Sequence, residues 1–551
     1  MPIPLSIHNL CDLLDKAAKE SPNKIAARDR EKKGYSPWTY SELSNYSYLL
    51  AAHLQQLNVK ENQTLALLIP NSKWWGMAFF ASLACDACVV PIDTKLSAEE
   101  IASIIKAANI KKIITADIYN EKIKKLKLLN LNLENIISID LANNGKAFLE
   151  TISKNKSSNI KRNNLRIHPA VIIFTSGTTG IPKGVVLTHG NLLTDIFDML
   201  RVLEISEYES FVSILPLNHV FEITGGFLSP IALHATITYV RSLRPDLIFK
   251  TIKESNMTIM MVVPSFLKLF LSKIKHQAAK KAGRKFELLF HAGITLNNIG
   301  LPVGKLLFAN IKKNISPAFK GFVCGGAPLD VDVIRELATL GITVLQGYGL
   351  TETSPVVAVN TIKYNRFGSV GKKLPTAEFR IDYQNNYNHG ELLVRGGMVF
   401  RGYFNNPEET NKVFCNDWFK TGDLAKIDKD GYLYIIGRVK SIIVTASGKN
   451  IYPEYVERFL KKCDAVSEAC VVGIPEKSGA EKPVAVISLK PDEIFDENKI
   501  KNEIKSLLKN IAEYQRPKEF IFIEKLPLTP SLKVKRKEVL KLIKARNLLT
   551  H

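Results

Sequence analysis

Up to about residue 365, short apolar runs alternate with segments that have a helical pattern of apolar positions. The runs are continuous, as in Thr64–Ile69, Cys88–Ile92 and Met257–Val263, and do not alternate with polar residues. Continuous apolar strands are typical of a parallel sheet that helices cover on both faces. The pattern therefore predicts an α/β fold with a large N-terminal domain of parallel sheets. We also expect Ser41 to cap the helix that ends near Leu57.

The pattern changes after residue 365. Short alternating strands, separated by Gly, Asn and Asp, indicate a small antiparallel β subdomain, barrel-like, over about 365–435. The segment Gly437–Lys440 reads as a joint, and a small α+β unit follows it. We therefore predict an N-terminal domain over residues 1–437 and a C-terminal domain over residues 438–551.

The most informative stretch is 171–191, VIIFTSGTTGIPKGVVLTHGN. Its apolar ends, Val171–Phe174 and Val185–Leu187, predict two strands. Between them stand six consecutive hydroxyl or glycine residues: Thr175, Ser176, Gly177, Thr178, Thr179 and Gly180. Pro182 and Lys183 follow shortly after them. Glycine N–H groups, hydroxyl donors and a lysine can together hold a polyphosphate. The stretch is not a Walker loop, which needs Gly before the Lys and Ser or Thr after it. The alternative is a polar surface hairpin.

Length, composition and net charge limit the number of domains and the kinds of partner to be expected. A chain of 551 residues with 46% apolar and 23% charged residues predicts a globular protein of two or more domains. The net charge of +22 comes from lysines spread along the chain, and no nucleic-acid motif accompanies them, so a compositional bias explains most of it. The basic segment 268–320 is interpreted as a solvated helical face, with a patch for acidic lipid or an anionic substrate as the alternative.

Seven cysteines, an odd and sparse set, indicate a reducing compartment. We interpret Cys85 and Cys88 as two core residues and not as a metal site. No signal peptide is recognised, because the N-terminal residues show no basic start followed by an apolar block. No long uncharged apolar run is found either, because Lys73 and Asp86 interrupt the segment 65–93, and Glu222 and His234 interrupt the segment 220–240. We expect a cytoplasmic protein, and peripheral contact with the inner face of a membrane stays open.

Six motifs occur in one order: TSGTTGIPKG at 175–184, GGAPL at 325–329, YGLTET at 348–353, TGD at 421–423, GRVK at 437–440 and TPSLKVKR at 529–536. In this order and spacing they resemble the motifs of the adenylate-forming (AMP-binding) superfamily, and within it the long-chain fatty acyl-CoA synthetases. WTYSEL at 38–43 and SLACDACVVPID at 82–93 extend the resemblance over nearly the whole chain.

The resemblance implies a site for ATP and Mg²⁺. The loop 175–180 and Lys183 would hold the β- and γ-phosphates, Thr351 would bond the α-phosphate, and Glu352 would hold Mg²⁺. Asp423 would accept the ribose hydroxyls with Arg438 nearby. The residues implied for the adenine side are Gly326, Ala327, Pro328, Tyr348 and Gly349.

The resemblance also implies two active-site arrangements. Lys533 of a mobile C-terminal domain would stabilise charge on the α-phosphate as a carboxylate attacks it. The motif departs from its commonest form, because Leu532 stands where many relatives have Gly. Lys535 and Lys537 lie close by, so the assignment of the catalytic role to Lys533 stays open. The domain would then turn about Lys440, the hinge. The residues implied for the CoA tunnel are Ser447, Gly448 and Lys449.

On the acyl side, His219 would lie beside the substrate carboxylate, with a tunnel running past Phe221, Gly325 and Gln346. No polar selector is evident, so the resemblance implies a medium- or long-chain fatty acid. The expected partners are the fatty acid, ATP and CoA, with no nucleic acid; a homodimer stays open. The alternatives are an acyl-AMP ligase that serves a carrier protein, and a non-catalytic adenylate-binding protein.

Overall fold

The computed structural model describes residues 3–129, 131–155, 160, 162, 165–175, 182–205, 209–242, 244–298, 301, 303–383, 388–445, 449–475, 480–490, 496–528 and 534–545. The chain divides into two compact units. The first comprises Met1–Glu378 and Val394–Phe419, and the second comprises Phe379–Leu393 and Lys420–His551. The predicted boundary at residue 437 stays a prediction. None of the helices in the ranges above is long and apolar enough to cross a membrane.

The helices of the described residues are, in chain order, α1 (Cys11–Glu20), α2 (Tyr40–Gln56), α3 (Lys73–Ala84), α4 (Ala98–Ala107), α5 (Asn120–Leu128), α6 (Lys146–Ile152), α7 (His189–Leu203), α8 (Ser229–Ala232), α9 (Pro245–Glu254), α10 (Pro264–Ala282), α11 (Arg284–Asn298), α12 (Gly304–Leu307), α13 (Ala309–Ile315), α14 (Val331–Thr339), α15 (Pro407–Val413), α16 (Pro453–Leu460), α17 (Glu497–Leu508) and α18 (Arg536–Ala545). A π-helical turn spans Glu222–Leu228, and 3-10 turns include Thr351–Thr353 and Val439–Ser441.

The strands are β1 (Ile25–Arg30), β2 (Tyr35–Thr39), β3 (Thr64–Leu68), β4 (Cys88–Pro91), β5 (Lys112–Ala116), β6 (Asn135–Ile139), β7 (Pro169–Thr175), β8 (Lys183–Thr188), β9 (Ser210–Ser213), β10 (Thr236–Tyr239), β11 (Ile259–Val262), β12 (Gly321–Cys324), β13 (Val344–Gly349), β14 (Val356–Val359), β15 (Lys372–Lys373), β16 (Glu378–Tyr383), β17 (Gly390–Arg395), β18 (Gly402–Tyr403), β19 (Phe414–Cys415), β20 (Trp418–Ile427), β21 (Leu433–Arg438), β22 (Ile443–Val444), β23 (Asn450–Ile451), β24 (Val466–Pro475), β25 (Glu481–Leu489) and β26 (Glu519–Ile523).

The first unit contains two large sheets. Their strand orders are β2–β1–β10–β9–β11–β12–β13–β14–β15 and β6–β5–β3–β4–β7–β8–β18. The predicted α/β class is confirmed, but the sheets are mixed. Central pairs such as β3–β4 and β11–β12 are parallel, whereas β7–β8, β8–β18 and β13–β14 are antiparallel. Apolar runs predict burial on both faces but do not reveal a reversal of direction at the end of a sheet.

A continuous apolar core joins residues of both sheets with helix α3. All twelve residues of α3 are buried, and its aromatic side chains include Trp74, Trp75 and Phe79. Phe227, from the π-helical turn, packs edge-on against Trp75 with ring centroids 5.3 Å apart. A helix that is apolar on every side fits an interior position between layers. Cys85 and Cys88 are buried as expected.

The prediction that Ser41 caps α2 was wrong. Thr39 is the N-cap: its hydroxyl accepts a hydrogen bond from the Glu42 N–H at 3.2 Å, and the Glu42 carboxylate accepts one from the Thr39 N–H at 2.7 Å. This reciprocal capping box satisfies two N–H groups that the first turn leaves unpaired. Either hydroxyl residue suits a cap, but only Thr39 has the acidic partner three positions later.

The second unit has its own core. The sheet β24–β25–β26 packs with α16, α17 and α18, and its centre is formed by buried residues such as Val471, Ile487 and Ile504. Most of a further sheet, in the order β16–β17–β20–β19 with β21 beside β20, also falls in this unit. Its β19–β20 and β20–β21 pairs are antiparallel. This is where the sequence predicted a small β subdomain.

Candidate functional site

The predicted phosphate loop joins β7 and β8, which pair antiparallel. Thr175 and Lys183 are partners in that register, and the Thr175 hydroxyl lies 3.4 Å from the Lys183 carbonyl oxygen that accepts its hydrogen bond. The buried run 170–173 anchors one strand and the buried run 184–188 the other. The hairpin therefore places Thr175 and Lys183 side by side where its two strands meet the loop. The predicted residues Ser176, Gly177, Thr178, Thr179 and Gly180 lie outside the described residues.

The ammonium group of Lys183 forms an ion pair with Glu409 of α15. The second carboxylate oxygen of Glu409 accepts a hydrogen bond from Lys412 at 2.7 Å. The hydrogen bond from Lys183 is the main reason that the pKa of Glu409 is lowered to about 2. Lys183 Nζ also lies 5.4 Å from the ring centroid of Tyr403, within the range of a cation–π interaction.

Glu352 is connected to the same tyrosine. The Tyr403 hydroxyl donates a hydrogen bond to Glu352 Oε1 at 2.9 Å, and the Glu352 carbonyl oxygen accepts one from the Phe400 N–H at 2.8 Å. Thr351 and Glu352 belong to the half-buried 3-10 turn that follows β13. Tyr403 therefore contacts both the group predicted to hold phosphate, Lys183, and the group predicted to hold metal.

The donor set at Glu352 suits Mg²⁺. Within the described ranges, no group of three or more His, Cys, Asp or Glu residues could hold a metal ion. Mg²⁺ is commonly held by one or two carboxylates together with substrate phosphates and water. A single carboxylate whose Oε1 is fixed by Tyr403 fits that kind of site.

The turn before Glu352 requires glycine. A Cβ atom added to Gly349 would lie 1.6 Å from the carbonyl oxygen of Pro355, too close for any side chain. The Thr353 hydroxyl holds this turn by donating to the same oxygen at 2.6 Å. The backbone at Gly349 is therefore packed directly against a neighbouring chain segment, which fixes the position of the Thr351–Glu352 turn.

The residues predicted for adenine lie at the ends of neighbouring strands. β12 and β13 are parallel with Cys324 opposite Gln346, so both strands end at the same edge of the sheet. Gly326, Ala327 and Pro328 follow β12 and are exposed, and Gly326 has φ +81°. Tyr348 is half-buried and stands opposite Ala358 of β14. Ligands of open α/β sheets commonly bind at such a carboxyl edge.

Two of the predicted acyl-tunnel residues meet. A Cβ atom on Gly325 would lie 3.3 Å from the ring of Phe221, so the glycine leaves room for that ring. The side-chain oxygen of Gln346 is buried and accepts no hydrogen bond from the described residues. His219 is half-buried and its carbonyl oxygen accepts hydrogen bonds from the Glu222 and Ile223 N–H groups.

Glu222 is a buried acid that sequence reasoning treated only as a charge interrupting an apolar segment. It is 1% exposed at the start of the π-helical turn, and a Cβ on Gly226 would lie 2.5 Å from its carboxyl group. Burial raises the pKa of Glu222 to about 8. The carboxyl is therefore largely neutral at neutral pH. A neutral carboxyl can be buried without a cation at much lower cost than a charged one.

In the second unit, Asp423 and Arg438 are partners across β20 and β21. Arg438 Nε lies 2.7 Å from Asp423 Oδ1, the aspartate side chain is 7% exposed and the arginine 51%. The Asp423 N–H donates to the Thr421 hydroxyl at 3.1 Å. The two residues predicted for the ribose are thus brought together, although sequence reasoning foresaw no direct ion pair.

The other predictions in this unit are less complete. Lys440 is exposed in the Val439–Ser441 turn, and Lys449 Nζ lies 4.8 Å from the ring centroid of Tyr514. Lys533, Ser447 and Gly448 lie outside the described residues. On either side of 529–533, Leu528 and Val534 form an antiparallel bridge.

Lys535, the alternative to Lys533, pairs with Glu538 one helical turn later at 3.1 Å. Arg536 donates to both oxygens of Glu457, at 2.6 and 3.0 Å, and to Glu454 at 3.0 Å. These contacts fix the start of α18 to α16 within the second unit.

Sequence reasoning missed Tyr403 and Glu409. The Asn-Pro-Glu-Glu sequence at 406–409 is a recognisable helix start, and the Asn406 side chain does accept from the Glu409 N–H at 3.1 Å. Nothing local indicates that this helix lies beside Lys183, which is 226 residues away in sequence.

Comparison with known proteins decides the family. Residues 14–404 match the AMP-binding enzyme family, and residues 455–533 match the AMP-binding enzyme C-terminal domain. The chain belongs to the AMP-binding enzyme family. The resemblance drawn from the six motifs, to the adenylate-forming (AMP-binding) superfamily, is thereby confirmed.

Two relatives of this AMP-binding enzyme illustrate different substrate names. The chain is 31% identical to the long-chain-fatty-acid–CoA ligase FadD15 of Mycobacterium bovis over 79% of this chain and 75% of that protein. It is 26% identical to the 2-succinylbenzoate–CoA ligase of Listeria monocytogenes over 91% of this chain and 93% of that protein.

Solved structures share the fold of this AMP-binding enzyme. The anthranilate CoA ligase AuaEII in complex with anthranoyl-AMP matches with a TM-score of 0.82 at 23% identity, over 99% of both chains. The o-succinylbenzoate coenzyme A synthetase of Bacillus subtilis in complex with ATP and magnesium matches with a TM-score of 0.78 at 24% identity, over 96% of this chain and 99% of that chain. At these identities the likeness concerns the fold.

Proposed function

We propose that this AMP-binding enzyme is an ATP-dependent CoA ligase that activates a medium- or long-chain fatty acid through an acyl-adenylate. One observation carries the proposal: Tyr403 contacts both Lys183 and Glu352. An ammonium group for phosphates and a carboxylate for a metal ion are therefore held beside one another, as binding of a metal–nucleotide complex requires.

In the first step, a carboxylate oxygen of the acid attacks the α-phosphorus of ATP. The bond from that phosphorus to the bridging oxygen breaks, and pyrophosphate leaves. Lys183 stabilises charge on the leaving pyrophosphate, and Thr351 donates to an α-phosphate oxygen. Bound Mg²⁺, held by Glu352, would neutralise phosphate charge. Asp423 holds the ribose hydroxyls, with Arg438 fixing the orientation of its carboxylate.

Lys533 is assigned to the same step, where its ammonium stabilises the negative charge that builds on the α-phosphoryl oxygens. In the second step, the CoA thiolate attacks the acyl carbonyl carbon, the bond from that carbon to the bridging oxygen breaks, and AMP leaves with that oxygen. Ser447, Gly448 and Lys449 are assigned to the path of the thiol, and Lys440 to the hinge between the two steps.

The acyl class rests on the long-chain ligase names among the relatives and on the apolar ring of Phe221, which lies where a side chain on Gly325 would point. An aromatic dicarboxylate is the second candidate, because a 2-succinylbenzoate–CoA ligase matches over 91% of the chain. Transfer to a carrier protein instead of CoA is the remaining alternative.

A panel of acids tests the proposal. The enzyme is given ATP and Mg²⁺ with acetate, octanoate, laurate, palmitate or 2-succinylbenzoate, with and without CoA, and pyrophosphate and thioester are measured. We expect laurate or palmitate to give the highest kcat/KM and a thioester with CoA. A preference for 2-succinylbenzoate would overturn the fatty-acid assignment, and acyl-AMP that accumulates without thioester would indicate a carrier-protein acceptor.

The matched control compares two lysines at strand starts. Lys183→Ala should abolish pyrophosphate release, whereas Lys112→Ala, at the start of β5 and paired with Glu134 at 2.9 Å, should retain it. Equal activity of the two variants would contradict the role given to Lys183.

A further inference from the structure

The segment 402–412, which we call the bridging segment, carries two charged-group contacts that the family motifs do not explain. Its first residues form β18, which pairs with β8 so that Gly402 stands opposite Val186 and Tyr403 opposite Val185. The Phe404 N–H donates to the Gly184 carbonyl oxygen at 2.7 Å. The backbone of Tyr403 is therefore fixed directly beside the strand that begins with Lys183.

The second half of the bridging segment is held from within. The Tyr403 N–H donates to the Thr410 hydroxyl at 2.9 Å, and that hydroxyl donates to the Asn406 carbonyl oxygen at 2.8 Å. A Cβ atom on Gly402 would lie 2.8 Å from Thr410, so the strand and the helix α15 pack closely. These contacts hold the backbone of α15, and with it that of Glu409, close to β18.

Tyr403 separates the two charged groups of the site. Its ring face is directed to the ammonium of Lys183, its hydroxyl to the carboxylate of Glu352, and its ring packs edge-on against Phe400 with centroids 5.0 Å apart. Among the described residues, Lys183 forms its ion pair with Glu409 and not with Glu352. A lysine and a glutamate intended for different parts of one ligand must not neutralise each other, and this arrangement prevents it.

We propose that Tyr403 is a positioning residue for the metal–nucleotide complex. Its hydroxyl holds Oε1 of Glu352, so that the other oxygen is presented to the Mg²⁺ that accompanies ATP. Its ring keeps the Lys183 ammonium on the phosphate side, and Glu409 holds that ammonium until phosphate replaces it. This inference rests on the proposed function, because it takes Glu352 and Lys183 as the metal and phosphate groups.

Tyr403 should strengthen metal binding because it reduces the conformational freedom that the Glu352 side chain must lose. A glutamate side chain has three rotatable bonds, and an unheld carboxylate must be ordered when the metal binds. A hydrogen bond from the Tyr403 hydroxyl orders it in advance. Hydrogen bonds to charged groups commonly contribute enough to change an equilibrium about tenfold or more.

The test uses Tyr403→Phe, which keeps the ring and its packing on Phe400 but removes the donor. Binding is measured by calorimetry without any carboxylic acid, so that no turnover occurs, once with ATP and Mg²⁺ and once with ATP and a chelator. We expect about tenfold weaker binding of ATP with Mg²⁺ and less than a twofold change without metal. Equal weakening in both conditions, or no change in either, would overturn the proposal.

Tyr48→Phe is the matched control. The Tyr48 hydroxyl also donates to a carboxylate, Asp15 at 2.7 Å, and the residue belongs to the same unit. It should leave nucleotide binding unchanged with and without Mg²⁺. A metal-dependent loss in Tyr48→Phe equal to that in Tyr403→Phe would refute a specific role of Tyr403.

The variant Glu352→Gln separates this inference from the proposed function. Glu352→Gln should remove most of the metal dependence, and adding Tyr403→Phe to it should then cost less than a further twofold. A fully additive loss would show that Tyr403 does not act through Glu352 and would overturn the inference alone. Wild-type enzyme whose ATP binding is independent of Mg²⁺ would overturn the metal assignment of the proposed function, and the inference with it. Thermal unfolding of Tyr403→Phe within a few degrees of wild type checks that the fold is retained.

Discussion

Arg536 offers a prediction whose size can be worked from its contacts. It lies three positions after Lys533, and its guanidinium donates to both oxygens of Glu457, to Glu454 and, at 2.6 Å, to the Val471 carbonyl oxygen. These contacts join the start of α18 to α16 and β24. Because the segment with the proposed catalytic lysine ends here, loosening Arg536 should affect both the second unit and the first chemical step.

The perturbation is Arg536→Met, which keeps an apolar chain of similar length and removes the charge. Glu457 is left buried without its cation, and breaking a buried ion pair from one side commonly costs about 3–5 kcal/mol. The arginine side chain is 24% exposed, so we take the lower end, about 3 kcal/mol, or roughly a hundredfold in a local opening equilibrium.

The assay is hydrogen exchange followed by mass spectrometry on peptides from α16 and β24, with correction for intrinsic exchange rates. We expect these peptides to exchange roughly a hundredfold faster in Arg536→Met, while peptides of the first unit stay unchanged. Lys535→Met is the control, because its ion pair with Glu538 is 39% and 49% exposed and such pairs contribute about 0–1 kcal/mol.

The loss of stability in Arg536→Met, which we call the deficit, should also depend on pH. Burial raises the pKa of Glu457, and Arg536 opposes this by favouring the ionised form. Without Arg536 the folded-state pKa rises further above the unfolded value. The protonated carboxyl then stabilises the fold below the unfolded pKa, and this stability is lost as pH rises through the folded pKa. The deficit should be smaller at pH 5 than at pH 8. A change in exchange below threefold, or a deficit that grows as pH falls, would refute the reasoning.

Three further predictions concern the reaction. Glu409→Gln should tighten binding of metal-free ATP roughly two- to fivefold, because it removes the carboxylate that competes for Lys183; weaker binding by calorimetry would mean that Glu409 supports the bound state. Lys533→Ala should lower pyrophosphate release about a hundredfold or more, while thioester formation from supplied acyl-AMP persists. If Lys535→Ala shows this loss instead, the catalytic role belongs to Lys535. Lys440→Ala should slow thioester formation more than adenylate formation in single-turnover measurements, and an equal loss in both steps would contradict a hinge role.

Parts of this site are visible in the sequence because they are local. The apolar runs on either side of the 175–183 loop predicted two strands, and β7 and β8 lie there as an antiparallel pair. Thr175 and Lys183 consequently face one another at the loop ends. The small β region was predicted over about 365–435 from its alternating pattern. Asp423 lies within that range, whereas its partner Arg438 lies three residues beyond the predicted end, at the end of the paired strand β21.

Other parts depend on long-range pairing that no local pattern encodes. Tyr403 and Glu409 reach the site only because β18 adds to the edge of the sheet beside β8. The sequence likewise treats Glu222 as a polar interruption, whereas the structure buries it completely in a π-helical turn where desolvation raises its pKa to about 8. The charge of a residue in sequence does not determine its exposure when the fold can bury it in the neutral form.

The most direct test of the central claim follows the carboxyl oxygens. Palmitate labelled with 18O in both carboxyl oxygens is incubated with the enzyme, ATP, Mg²⁺ and CoA, and the products are separated and analysed by mass spectrometry. If the acid attacks the α-phosphorus and CoA then displaces AMP, one 18O must appear in AMP and none in pyrophosphate. Unlabelled AMP, or 18O in inorganic phosphate together with ADP, would contradict an acyl-adenylate route.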